Sequence, residues 1–383
     1  VTGAGVTRPL IVLAAGGTGG HMFPAEALAG ALVARGHDVA LITDRRGQAI
    51  ALPGIDLAVH RVRAAAMTGA SLPAKLTAGL QLLIGAAQSW WLLRRLKPVA
   101  VVGFGGYPSV PAVLAAHRLG LAVILHEQNA VLGRANQILT PFARRIATCF
   151  PEVEGVAAAD RGKVVMTGNP VRPAIAALAQ TPYPTLGADS SVNLLITGGS
   201  LGASLFSRVI PLAIGLLPES LRRRLAIVQQ ARADDLEGVR AAYAALGMTP
   251  VLSSFFGDMP ARLAAAHLVI GRAGASTVAE TAVAGRPAIL VPLAIHRDDH
   301  QTKNARALEA AGAALVMPES AFTPEALAAR LQPLLSLPDK LTAMAAGARQ
   351  VANIDAAERL ADLVLATVPA NGNESNGARR NAA

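Results

Sequence analysis

An uninterrupted apolar run from Leu10 to Ala14 is followed at once by a glycine-rich stretch, residues 16–20. Apolar runs of this length, bounded by a turn, predict strands buried on both faces. A helix to Ala34 is expected next, ended by Arg35-Gly36-His37-Asp38, and then a strand over residues 39–43. Residues 99–102 and 122–125 read as further strands. Strands alternating with helices imply βαβ units and a parallel sheet. The pattern then restarts. Residues 192–197 lead into Gly198-Gly199-Ser200-Leu201-Gly202, which repeats the Gly-Gly-[Thr/Ser]-x-Gly of residues 16–20, and strand-like runs follow at 226–229, 268–270 and 288–291. The expectation is an α/β chain of two similar halves, with a cleft between them and Thr181-Pro182-Tyr183-Pro184 as the linker.

One stretch departs from this alternation. Residues 76–93 carry no charge and are just long enough to imitate a membrane-spanning helix. Thr77, Gln81 and Gln88 interrupt it at spacings that share one helical face, so an amphipathic helix is predicted. Lys75 precedes it, and Trp90, Trp91, Arg94, Arg95 and Lys97 close it, a furnishing that suits the membrane interface. A crossover helix packed on the sheet fits equally well, and both hold if one face packs and the other is exposed.

Composition narrows the partners. The chain has 383 residues, which favours two domains, and 52% hydrophobic against 16% charged residues excludes disorder over most of the length. Lys and Arg number 35 against 25 Asp and Glu, a formal charge of +10, which suits an anionic partner. Aromatic residues make up only 3%, so no nucleic-acid partner is expected. The single cysteine, Cys149, excludes a disulfide scaffold and a thiolate metal site. The first ten residues read as a polar lead-in rather than a secretion signal, so a cytosolic chain is expected.

The chemistry gathers at predicted strand ends. Residues 16–20 are neither a dinucleotide fingerprint, since the third glycine position falls on Met22, nor a P-loop. They still form a glycine turn entering a helix, whose free N–H groups face any anion. His21 would stand in the first turn, where the helix end favours a neutral imidazole available as a base. His126-Glu127-Gln128-Asn129 and Gly103-Phe104-Gly105-Gly106-Tyr107 follow strands where ligand clefts of open sheets lie. In the second half, Thr277-x-x-Glu280 reads on spacing alone as a capping box. Asp298-Asp299-His300 lacks supporting ligands at metal spacing, so no metal is expected.

Gly-Gly-Thr-Gly-Gly-His (16–21), Gly-Gly-Tyr (105–107), His-Glu-Gln-Asn (126–129) and Gly-Asn-Pro-Val-Arg (168–172) stand in the order seen in one family. So do Gly-Gly-Ser-x-Gly-Ala (198–203), Arg-Ala-Gly-Ala-Ser-Thr-Val-Ala-Glu (272–280) and Asp-His-Gln (299–301). From about Ile11 to Ala366 the chain resembles the MurG family of bacterial transferases, glycosyltransferase family 28. The resemblance implies a GT-B fold, two Rossmann-like domains with the active site in the cleft between them. It implies an acceptor- and membrane-facing domain over 8–170, a UDP-GlcNAc-binding domain over 171–368 whose last helix can pack back on the first, and a disordered tail over 369–383. The implied reaction is inverting, metal-independent transfer of N-acetylglucosamine from UDP-GlcNAc to undecaprenyl-diphosphate-linked N-acetylmuramyl-pentapeptide, lipid I to lipid II, without a cofactor. The implied location is peripheral, on the cytoplasmic side of the cell membrane.

Carried over by motif, Thr18, Gly19 and Gly20 contact the donor near the reaction centre, and Asn129 and Gln301 its sugar. Arg172 and Ser200 fall on the nucleotide side, Ala275, Ser276 and Thr277 on the diphosphate, and Glu280 on the ribose hydroxyls. Phe256 falls where the family's backbone reads the uracil edge, and Gly105, Gly106 and Tyr107 where the acceptor diphosphate would lie. His21 is the first candidate base and Glu127 the second. Three other readings stay open: a UDP-GlcNAc 2-epimerase of the same fold, a dehydrogenase with Asp44 on a ribose, and a non-catalytic nucleotide-binding module.

Overall fold

Two parallel sheets carry the chain. The computed structural model describes residues 8–16, 19–44, 57–65, 71–187, 190–199, 203–293 and 299–369. The first sheet contains β1 (Leu10–Ala14), β2 (Asp38–Thr43), β3 (Ala58–Arg61), β4 (Ala100–Gly103), β5 (Ala122–Glu127), β6 (Arg145–Thr148) and β7 (Val164–Met166), in the order β3-β2-β1-β4-β5-β6-β7. The second contains β8 (Val192–Thr197), β9 (Leu225–Gln230), β10 (Val251–Ser253), β11 (Leu268–Gly271), β12 (Ala288–Leu290) and β13 (Ala314–Val316), in the order β10-β9-β8-β11-β12-β13. Each sheet thus reverses direction beside its first strand, between β1 and β4 and between β8 and β11. In such sheets ligands bind beyond the carboxyl ends of the strands at that switch point.

Register and alternation explain the apolar runs. Ile11 pairs with Val39 on one side and Ala100 on the other. Its neighbours alternate: Ile11 and Leu13 join the core formed with helix α1 (Gly19–Ala34), while Val12 and Ala14 join the core formed with α3 (Ser109–Arg118). Both faces are covered, so every residue of the strand must be apolar.

The chain divides into two units, one reaching Arg172 and resuming at Asp355, the other Pro173–Ile354. The C-terminal helix Ala356–Thr367 packs on α1, with Leu360, Ala361 and Val364 wholly buried in the first core. Arg35 at the end of α1 reaches Glu358 at 2.6 Å and Asp362 at 3.0 Å on that helix. Thr181-Pro182-Tyr183-Pro184 is not a free linker. Tyr183 packs against the second core and donates its hydroxyl to the His267 carbonyl at 2.8 Å.

The long apolar stretch forms α2 (Leu72–Leu96), and Lys75–Leu96 meets the length and apolarity of a spanning helix with a mean hydropathy of 1.2. Its buried side consists of Ala78, Gly85, Ser89 and Leu93. A Cβ on Gly85 would stand 1.9 Å from the Arg63 carbonyl oxygen, so glycine lets the helix press onto neighbouring backbone. Gln88 Oε1 accepts the Arg63 N–H at 2.9 Å. Leu76, Leu80, Leu83 and Trp91 point to the opposite side and are 59–70% exposed. At 100° per residue Thr77, Gln81 and Gln88 flank that apolar stripe instead of marking the outer face. The helix is therefore amphipathic in another sense than its polar spacing predicts: small residues together with Leu93 inside, large apolar ones outside.

Burial and charge hold the C-terminal helix very unequally. Leu360→Ala should cost about 2–5 kcal/mol by cavity formation. Arg35→Ala should cost roughly 1 kcal/mol or less, because Glu358 and Asp362 are 57% and 72% exposed. Urea unfolding of the two variants checks the order; an equal loss in both would place the helix's hold in the ion pairs.

Candidate active site

At the first switch point β1 ends at Ala14 and α1 begins at Gly19, so Gly19, Gly20 and His21 form the first turn of the helix. Beside them β4 ends in Gly103, and the chain turns through Gly105 (φ +79°) and Gly106 (φ +71°). Both backbones lie in the left-handed region that favours glycine. Space is also short, since a Cβ on Gly106 would lie 3.3 Å from the Gly16 carbonyl oxygen and 3.5 Å from His21 Cδ2. Gly106 in turn accepts the Ser109 hydroxyl at 2.8 Å, which ties Gly105, Gly106 and Tyr107 to the start of α3.

The end of β5 supplies a buried polar network behind His21. His21 Nδ1 lies 3.1 Å from Gln128 Oε1, and Gln128 Nε2 donates to the Phe104 carbonyl at 2.9 Å. The same Nε2 lies 3.0 Å from His126 Nδ1, while His126 Nε2 faces the Gly168 carbonyl at 3.4 Å. Burial pushes the His126 pKa down to about 4, against the opposing pull of the Gly168 carbonyl, so the ring is neutral at pH 7. Cys149 Sγ is 3.5 Å from that ring, and its burial raises the thiol pKa well above the usual range, which keeps it protonated and unreactive.

Glu127 points the other way along the strand and is buried. It accepts four hydrogen bonds: Asn129 N and Asn129 Nδ2 on Oε1, at 3.0 and 3.1 Å, and Gly133 N and Asn136 Nδ2 on Oε2, both at 2.8 Å. Such a shell satisfies an ionised carboxylate without water. It also fixes the Asn129 amide, whose nitrogen is held by Glu127. Arg172 closes this unit with its guanidinium 4.3 Å from the Phe23 ring of α1. Burial raises the Glu26 pKa, and the nearby Arg172 charge opposes the rise.

The second switch point repeats the arrangement with a different emphasis. Gly198 and Gly199 (φ +75°) follow β8, and Arg272-Ala273-Gly274 follows β11. The helix Ala275–Ala284 starts directly after Gly274, which sits at its cap with no side chain to offer. Thr277 is thus the third residue of the helix, and the capping-box reading of Thr277 and Glu280 falls away. The N-cap residue Gly274 makes no side-chain cap, and Ser276 Oγ is buried without a hydrogen-bond partner among the described residues. First-turn N–H groups and an unused hydroxyl at a helix N-terminus fit an oxyanion. Gln301, in the first turn of the helix His300–Ala310, accepts the Leu293 N–H on Oε1 at 2.9 Å, which leaves its amide NH₂ as the donor end. Phe256 follows β10 and is buried under the Arg262 guanidinium, 4.1 Å from its ring.

Within the first unit the fold brings together His21, Gly105, Gly106, Glu127 and Asn129; within the second, Ala275, Ser276, Thr277, Glu280 and Gln301 share neighbouring helices. Thr18 and Ser200 lie outside the described residues. Sequence reasoning gave no role to His126, Gln128 or Arg272. The last donates to the Val291 carbonyl at 3.2 Å and to Glu319 at 2.5 Å, fastening the loop after β11. The signal for Gln128 was its spacing of two from His126, which puts both on one side of an extended chain. Among the described residues no cluster of His, Cys, Asp and Glu is arranged to hold a metal ion.

Two doubly wound sheets with glycine turns at both switch points are the construction of GT-B glycosyltransferases. The model of the glycosyltransferase family 28 N-terminal domain matches residues 11–148, and that of the family 28 C-terminal domain matches residues 193–360. A Rhodospirillum centenum protein named UDP-N-acetylglucosamine--N-acetylmuramyl-(pentapeptide) pyrophosphoryl-undecaprenol N-acetylglucosamine transferase is 56% identical over 355 residues, 93% of each chain. A Paramagnetospirillum magneticum protein of the same name is 51% identical over 94% of this chain and 98% of its own. The crystal structure of Acinetobacter baumannii MurG superposes with a TM-score of 0.74 at 34% identity, covering 94% of this chain and 99% of that one. The chain belongs to glycosyltransferase family 28.

Gly106→Ala tests the tight turn beside His21. The left-handed backbone should cost about 1–2 kcal/mol of stability, and pressure on the His21 ring should lower transfer activity even in the folded fraction. Denaturant unfolding and a single-turnover assay check this; parental values in both would mean the turn tolerates a side chain.

Proposed function

We propose that this enzyme catalyses the inverting, metal-independent transfer of N-acetylglucosamine from UDP-GlcNAc to undecaprenyl-diphosphate-linked N-acetylmuramyl-pentapeptide, lipid I to lipid II, in peptidoglycan synthesis. The observation that carries this reading is the match along nearly the whole chain to relatives bearing that name. A putative UDP-GlcNAc 2-epimerase from Listeria monocytogenes shares the fold with a TM-score of 0.63 but only 16% identity, which speaks for the fold alone.

In this reading the helix N-terminus at Ala275, Ser276 and Thr277 binds the donor diphosphate and stabilises the charge that grows on departing UDP. Glu280 takes the ribose hydroxyls, the backbone at Phe256 the uracil edge, Arg172 and Ser200 the nucleotide side. Thr18, Gly19 and Gly20 line the reaction centre, and Asn129 and Gln301 hold the sugar. Gly105, Gly106 and Tyr107 receive the acceptor diphosphate. His21 is the general base that takes the proton of the attacking hydroxyl. Glu127 supports Asn129 rather than competing for the proton, because four N–H groups already occupy its oxygens.

UDP release should require both UDP-GlcNAc and a lipid I analogue and should survive EDTA. His21→Ala should lower kcat by about 10²–10⁴-fold with little change in donor KM. Release without acceptor would favour the epimerase, and a kcat within about threefold of the parent, below the usual base contribution, would remove His21 from the role.

We further propose that the enzyme works as a peripheral protein on the cytoplasmic face of the membrane, where the acceptor's lipid chain resides. The exposed stripe Leu76, Leu80, Leu83 and Trp91 would enter the interface, with Trp90 beside it. The exposed Lys75, Arg94, Arg95 and Lys97 would attract anionic lipid at about 1 kcal/mol each. Replacing Arg94, Arg95 and Lys97 by Glu should abolish sedimentation with phosphatidylglycerol vesicles while sparing activity on a short water-soluble acceptor. Undiminished vesicle binding would move the docking surface elsewhere.

A further inference from the structure

We infer that Gln128, oriented by His126 and the Phe104 carbonyl, is a positioning residue that locks His21 in the Nδ1–H tautomer and leaves Nε2 as the proton-accepting atom. The inference rests on the reading of His21 as base and adds which nitrogen acts and what selects it.

Which groups can donate fixes the orientation of the Gln128 amide. A backbone carbonyl only accepts, so the Gln128 atom 2.9 Å from the Phe104 oxygen must be its NH₂ group. The His126 carbonyl, 3.4 Å from the same atom, demands the same orientation. A flipped amide would set its oxygen against two carbonyl oxygens in a site only 2% exposed. The second N–H of that amide meets His126 Nδ1 at 3.0 Å, which must therefore carry a lone pair. The His126 proton then sits on Nε2, which faces the Gly168 carbonyl, an acceptor. Cys149 Sγ, 3.5 Å from the same Nε2, serves there as a weak acceptor. The ring thus takes the Nε2–H tautomer that Gln128 and the Gly168 carbonyl require, and its lowered pKa keeps it neutral.

With its nitrogen committed, Gln128 can present only its oxygen to His21, 3.1 Å away. An amide oxygen cannot donate, so His21 Nδ1 must, and the lone pair of the neutral ring lies on Nε2. The proton balance of the transfer then closes. As the acceptor oxygen forms its bond to the anomeric carbon, its O–H bond breaks and the proton moves to His21 Nε2. The anomeric carbon's bond to the phosphate oxygen breaks, and its electron pair leaves with UDP. The imidazolium that results still donates through Nδ1 to Gln128 Oε1. A neutral amide orients the ring without adding charge to the acceptor site, where a diphosphate must also bind.

Long-range ¹H–¹⁵N correlation spectra of the full-length enzyme, with histidine side chains ¹⁵N-labelled, test the lock. His21 signals are assigned by their loss in His21→Ala. The parent should show a protonated Nδ1 and an unprotonated Nε2. Gln128→Leu should shift His21 toward Nε2–H and lower kcat about 100-fold at nearly constant donor KM. The estimate sits below the ~10⁴-fold cost of a wrongly fixed tautomer in serine proteases, because an unlocked ring still samples the productive form. Gln128→Glu, which keeps an acceptor toward His21 but sets an oxygen against the Phe104 carbonyl, should fail to restore kcat, because the amide N–H is needed as well. An Nε2–H tautomer in the parent would overturn the proposal even if neither variant folds. So would Gln128→Leu with parental spectrum and kcat. Parental kcat in His21→Ala, with the Nδ1–H spectrum in the parent intact, would overturn the base reading and leave the lock standing.

Discussion

A parallel sheet covered on both faces leaves only its strand ends for chemistry, and this constraint organises both units. Within β1 and β4, and in β5 as far as Leu125, the strand residues are apolar or glycine, so the polar residues gather at and just after the carboxyl ends. Each switch point then has an opening that no crossover covers. Glycine lets neighbouring backbones crowd that opening. Gly16 faces Pro108, where a Cβ would meet Cγ at 2.7 Å, and Gly106 faces the Gly16 carbonyl. The polar groups of His21, Glu127 and Gln128 are held at this edge because they have nowhere else to go.

The two edges solve different electrostatic problems. In the first unit a buried carboxylate and a buried imidazole sit side by side in sequence, yet neither needs the other for its state. Glu127 is enclosed by four N–H donors, whereas His126 is neutral because burial penalises its charge. The network behind His21 therefore carries orientation without net charge. In the second unit the helix after β11 begins at a glycine that offers no side-chain cap, and its N-terminus supplies fixed positive potential for an anion. The proposed base thus lies in one unit and the proposed charge stabiliser in the other.

Much of this plan was legible in the sequence because central strands are buried on both faces and read as continuous apolar runs. β1, β8 and β11 were visible for that reason. The edge strands were not: Ala58-Val59-His60-Arg61 of β3 and Val164-Val165-Met166 of β7 are short and partly exposed, so no run or alternation marks them. The motifs carried the candidate residues, but not their partners. His126 and Gln128 gain meaning only from the Phe104 and Gly168 carbonyls, brought to them by the neighbouring chain. The capping box failed for a similar reason, since a cap depends on where the helix begins, and Gly274 begins it three residues before Thr277. For α2, spacing located a polar stripe, but only packing against Arg63 and α3 shows which side faces out.

The proposed reaction is one direct displacement, in which His21 would take the proton of the acceptor hydroxyl as UDP departs. A single displacement inverts the anomeric carbon, whereas a covalent glycosyl-enzyme would retain its configuration through two steps. The most direct measurement is the anomeric proton coupling of the new glycosidic bond, read by ¹H NMR on product made from α-linked UDP-GlcNAc and a soluble acceptor. The large coupling of a β-linkage is the predicted result. The small coupling of an α-linkage would contradict the account.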